Sequence, residues 1–142
     1  MMASLFTRII QGDIPGRFLW RDDQCVVFLT IGPIRPGHAL VVPIQEVDHW
    51  LDLPAELGTH LFSVAQIIGQ AQMAAFSPER VGLIIAGMEV PHTHLHVIPI
   101  RTEADLDFGR ADANPSAASL DDAAAALRGA LAAAGHPQVV NA

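Results

Sequence analysis

With 142 residues and 51% hydrophobic side chains, the chain has the size and apolar content of one ordinary domain that closes its own core. Its formal net charge is −7, and its eight basic residues are all arginines without a cluster, which argues against long nucleic acid as a partner and excludes lysine chemistry such as Schiff bases and lysine-bearing phosphate loops. One cysteine, Cys25, excludes an internal disulfide; no apolar run reaches the ~18 residues of a membrane span; and residues 1–11 lack a secretion-signal pattern, so a cytoplasmic protein is expected.

In chain order, Leu5, Phe6, Ile9 and Ile10 fall on one helical face, with Ser4 as N-cap and Gly12 as stop. Residues 18–20 and 26–29, on either side of Asp22-Asp23, predict a β-hairpin. A strand follows over 37–43, opening with His38 and closed by Pro43. Residues 54–75 carry Leu57, Leu61, Val64, Ala65, Ile68 and Met73 at roughly helical spacing, and Ser77-Pro78 ends this main helix. Residues 81–86 read as a buried strand, 87–91 as a turn, and 92–98 as its antiparallel partner. Residues 102–118 have a loop composition, and Ser119 is expected to cap an alanine-rich helix to about Ala134, with Leu120, Leu127 and Leu131 as a packing stripe. The order implies an α+β domain on an antiparallel sheet.

The feature that points to chemistry is His92-Thr93-His94-Leu95-His96-Val97-Ile98. On a strand, this period of two puts His92, His94 and His96 on one face, about 7 Å apart, with Leu95 and Val97 on the other. Imidazoles so placed can serve as nucleophile, proton donor and anion binder near neutral pH. They can also hold a transition metal, with His38 as fourth ligand. The remaining candidates take structural readings: His49 at a helix entrance, His60 facing solvent, His136 in a frayed Gly-His-Pro tail, Trp20 and Trp50 as packing, and Cys25 as core. Asp121 and Asp122 fit the first turn of the last helix.

The histidine run resembles the signature of the histidine triad (HIT) superfamily. Leu5-Phe6-Thr7-Arg8-Ile9-Ile10 with Asp13-Ile14-Pro15, Asp22-Asp23 with Val26-Val27-Phe28, and Pro36-Gly37-His38-Ala39-Leu40-Val41-Val42-Pro43 are similar to its nucleoside phosphoramidase (Hint) branch. The resemblance covers about residues 4–100. It implies a homodimeric HIT-like fold, a sheet of about five strands with a long helix and a C-terminal helix, spanning residues 1–142 as one domain. It also implies a cofactor-free, metal-free hydrolase or nucleotidyl transferase for purine nucleotides of the AMP type, cleaving a phosphoramidate or related linkage through a covalent nucleotidyl-histidine. By motif match His94 is the nucleophile, His96 binds phosphate and assists proton delivery, His92 orients His94, and His38 supports them. Phe6, Ile9, Phe28 and Ile31 surround base and ribose, and the backbone N–H groups of Glu89 and Val90 lie near the phosphate. Thr30 stands where the branch commonly has a ribose-binding aspartate, and the segment before the triad is short, with Met88 and Glu89 in place of the usual amides. Glu89 would then favour a cationic leaving group. These departures leave room for a non-catalytic nucleotide sensor. The amino-terminal cysteines of zinc-carrying relatives are missing.

Overall fold

The Ser4 side chain accepts the N–H of Thr7 and starts helix α1 (Leu5–Ile10), which turns Phe6 and Ile9 inward. The computed structural model describes residues 3–141. Strands β1 (Phe18–Arg21) and β2 (Cys25–Leu29) form the expected hairpin, whose turn is built by Asp22 Oδ1 accepting the N–H groups of Gln24 and Cys25. Strand β3 (Ala39–Pro43), helix α2 (Ala55–Phe76), strands β4 (Arg80–Ile84) and β5 (Leu95–Ile100), and helix α3 (Ala117–Ala133) complete the fold. The five strands form one antiparallel sheet in the order β1-β2-β3-β5-β4.

Every residue of β2 and β3 is buried, because both faces of the sheet are covered. Cys25, Val27, Leu29, Ala39 and Val41 meet α2 and α3 on one face, while Val26, Phe28, Leu40 and Val42 meet Phe6 and Ile9 of α1 on the other. The α3 stripe of Leu120, Leu127 and Leu131 packs with Ala123 and Ala124 into this chain's own core. Each large apolar side chain so buried contributes about 1.5–3 kcal/mol.

Several expectations need correction. Strand β5 starts at Leu95, not His92: the His92 N–H bonds to Val90 O and the Thr93 N–H to Val47 O, so neither enters the ladder. Strand β4 is a half-exposed edge rather than a buried strand, and Leu83 is 40% exposed. On α2 the buried stripe ends on Gln72, leaving Met73 exposed. Ser116, not Ser119, caps α3, by accepting the Ser119 N–H.

His60 does not simply face solvent. Its Nε2–H donates to Asp22 Oδ2 at 2.7 Å, where Trp20 Nε1–H and the Cys25 thiol also donate, tying α2 to the hairpin. Against the cost of burial, the bonds from Trp20, the Gln24 N–H, His60 and the Cys25 N–H hold the Asp22 carboxyl down at about 2, and burial beside Asp22 pushes the Cys25 thiol far above its usual range. Nor is the tail frayed at His136. Its N–H reaches Leu131 O, its ring lies against Trp20, and residues 138–140 bond along β1.

Candidate active site

Leu40 and His96 pair directly across β3 and β5, so the His96 ring lies on the face that α1 covers. His38 comes two residues before Leu40 and therefore shares that face. Gln72, fully buried on α2, donates its two amide hydrogens to Gly37 O at 2.9 Å and Val97 O at 2.8 Å. One side chain thus holds the backbone beside both His38 and His96.

The hydrogen-bond partners fix where each imidazole carries its proton, since a carbonyl only accepts and an amide N–H only donates. His94 Nδ1 lies 2.7 Å from the His92 carbonyl, so Nδ1 bears the hydrogen and Nε2 keeps a free lone pair. Ile34 N–H donates to His38 Nδ1 at 3.1 Å, which puts the hydrogen of His38 on Nε2. That hydrogen points at His96 Nδ1, 2.9 Å away, so neutral His96 carries its own on Nε2. His92 Nε2–H donates to Pro43 O at 2.7 Å, and its Nδ1 accepts from the Ser4 hydroxyl at 2.7 Å. The rings of His94 and His96 are 4.8 Å apart. A bare imidazole lone pair and a ring N–H donor therefore stand side by side. His92 orients His94 through its carbonyl rather than its ring.

Burial holds all four rings neutral. It brings His38 down to about 3 and His96 to about 4, with neighbouring imidazoles adding to the effect, and it lowers His92 and His94 as well. Below the usual 6.5 the unfolded chain therefore takes up protons that the folded chain refuses, so stability is complete above that pH and falls as the pH drops. Urea midpoints should decline steadily between about pH 6.5 and about pH 4, before most carboxylates titrate. A flat profile over that interval would show that the rings take up protons in the folded protein as readily as in the unfolded chain.

The metal-ligand arrangement considered from sequence does not fit. Both nitrogens of His38 and of His92 are engaged by hydrogen bonds, as are the Nδ1 atoms of His94 and His96. Only the two Nε2 atoms of His94 and His96 face outward, fewer than the three or four protein donors of a zinc site.

The HIT domain model matches residues 11–103. The chain belongs to the HIT family. An uncharacterised HIT-like protein of Methanocaldococcus jannaschii is 32% identical over 71% of this chain and 81% of its own length. The adenosine 5′-monophosphoramidase HNT1 of Saccharomyces cerevisiae is 32% identical over 71% of this chain and 65% of that protein. Among solved structures, a zinc-bound histidine triad family protein of Mycobacterium smegmatis superposes with a TM-score of 0.81 at 28% identity, covering 94% of this chain and 96% of that one.

Around the HIT triad, Phe6, Ile9 and Phe28 form one buried apolar cluster, with Val90 packed against it. Phe6 stands edge-on to His94 at 4.7 Å and to His92 at 5.9 Å. Ile31 instead projects into solvent, 77% exposed, beyond the end of β2. Thr30 spends its hydroxyl oxygen on Gly32 N–H while its own N–H bonds to His38 O. Glu89 is exposed and close enough for its charge to favour a proton on His94. His49 takes the structural role, accepting the Leu51 N–H at the start of a 3-10 turn.

Three contributors are absent from the sequence-based set. Ser4 links the α1 cap to His92, Gln72 clips the backbone, and Phe108 lies 4.9 Å from the His96 ring. The Ser4 cap was legible in sequence, its bond to His92 was not. Gln72 is recognisable as a polar residue within an apolar helical stripe. Nothing local marks Phe108.

Proposed function

We propose that this protein is a nucleotide hydrolase that breaks the linkage between a purine nucleoside monophosphate and an amine, through a nucleotide carried covalently on His94. The observation that carries this is the free Nε2 lone pair of His94 next to the Nε2–H of His96. A neutral, oriented imidazole is a competent nucleophile toward phosphorus. Its Nε2–P bond forms as the P–N bond of the substrate breaks, and the bridging nitrogen, protonated from solvent, leaves as the neutral amine while the Nε2–H of His96 donates to a phosphate oxygen. Water then attacks phosphorus, loses its proton to solvent and frees His94. His38, donating to His96 Nδ1, and Phe6, packed on His94, hold the two rings in place. The phosphoramidase activity named for the yeast relative supports this bond class. The cluster of Phe6, Ile9 and Phe28 supplies an apolar wall for the base.

The test is AMP release from adenosine 5′-phosphoramidate with a chelator present, together with acid-quench mass spectrometry for an adenylyl adduct on the chain. Release with the adduct on the peptide containing His94 is the expected result. Binding of AMP without release would favour the nucleotide sensor.

A homodimer is proposed on separate grounds. The β4 edge and α2 enclose an open groove of about 480 Å³ lined in part by Phe62, Met73 and Leu83, all three exposed. An apolar patch beside an unpaired strand edge suits a second copy of the same surface, related by a two-fold axis. Sedimentation equilibrium should give twice the chain mass, and Leu83→Glu should return it to the monomer; a wild-type monomer would refute the assembly.

A further inference from the structure

The segment after β5 is built to deliver one ring to the site. Asp105 Oδ2 accepts the N–H groups of Arg101 and Thr102, and its Oδ1 holds Arg110 at 3.0 Å. Leu106 lies flat on Gly82, where an added Cβ would come within 2.7 Å of it, and Leu106 and Ala111 pack against Ile34, Ile98 and Ile100. Asp107 caps the 3-10 turn Phe108–Arg110, and Asp112 N–H bonds to Pro33 O. With the segment fastened so thoroughly, Phe108 still remains 47% exposed, its ring edge-on to His96. Exposure of one ring is ordinary, but this one is pinned against a triad imidazole, where it meets whatever leaves the phosphorus.

Two phenylalanines therefore flank the histidine row. Phe6 contacts His92 and His94 and is buried; Phe108 contacts His96 and is open. Phe108 also lies beyond residues 11–103, the part shared with the family model. The charges nearest in sequence are acidic or paired: Asp107 adjoins the ring, Asp112 is four residues on, and Arg110 is held by Asp105, whose carboxylate also feels Arg35. An anionic leaving group meets repulsion here, whereas an aromatic or apolar arm gains contact with the ring.

We propose that Phe108 forms a leaving-group subsite that takes the aromatic or apolar arm of an amine, making N-arylalkyl phosphoramidates of a nucleoside monophosphate the preferred substrates. This rests on the hydrolase reading above, in which His96 holds the phosphate from which the amine departs. It selects among linkages that the triad chemistry alone leaves equal, and it disfavours acidic leaving groups.

The experiment compares kcat/KM for three adenosine 5′-phosphoramidates that release ammonia, 2-phenylethylamine or aspartate, using wild type, Phe108→Ala and Phe108→Leu, with circular dichroism to verify folding. Wild type should favour phenylethylamine over aspartate by about tenfold or more. Phe108→Ala should compress the phenylethylamine-to-ammonia ratio by about tenfold, whatever loss the two substrates share, and Phe108→Leu should give an intermediate ratio. An unchanged ratio in Phe108→Ala overturns the subsite while leaving the hydrolase standing. No turnover of any of the three by wild type overturns the hydrolase reading and the subsite with it.

Discussion

His94→Ala should lower kcat/KM for AMP release by ~10⁴-fold or more and abolish the trapped adduct. The size follows from what the ring alone supplies. Its Nε2 is the outward nitrogen of the row with a free lone pair, since the His92 carbonyl takes its Nδ1–H and His96 presents a hydrogen. No neighbour can substitute: His38 Nε2 is spent on His96, and His92 is bonded at both nitrogens. Folding should survive, because the ring's hydrogen bond is to the chain two residues back and ties no distant element in place. A loss of only tenfold would mean that water attacks phosphorus directly, with His94 as a spectator.

Gly37→Ala should damage stability and turnover together. Gly37 has φ +88, where a side chain is strained, and an added Cβ would fall 2.3 Å from the Phe76 ring. Strain and overpacking together should cost about 2–4 kcal/mol, read as a lower urea midpoint. Its carbonyl also receives Gln72, and His38 is the next residue, so the displacement should reach the His38–His96 bond and lower kcat/KM by ~10-fold to 100-fold at saturating folded fraction. Gly37→Ala with native stability would show that Phe76 swings away and that residue 37 leaves its positive φ at no cost.

Much of this architecture is legible in the sequence. The unbroken apolar runs of β2 and β3 and the helical spacing of Leu57, Leu61, Val64 and Ile68 report burial directly, because a strand covered on both faces shows no alternation and a helix covered on one shows its period. The histidine run announces the site. Its geometry is less legible, since period two predicts a strand through His92, yet Thr93 donates its N–H and its hydroxyl to the carbonyl of Val47 on a distant loop. Edge or centre position is equally hidden: the apolar residues 81–86 read as buried, but nothing in them tells that the sheet ends at β4. Phe108 reaches His96 through a chain excursion pinned by Asp105 and Leu106, a long-range arrangement with no local pattern.

The proton positions at the triad are written largely in peptide groups. The carbonyls of Pro43 and His92 and the N–H of Ile34 set the tautomers of His92, His94 and His38, and Gln72 grips the carbonyls of Gly37 and Val97. Apart from proline, which lacks the N–H, every residue brings the same peptide group. Substitution at 34, 43 or 97 therefore alters packing without touching the identity of the atom that donates or accepts, so such a site can keep its acid–base pattern while the surrounding side chains drift.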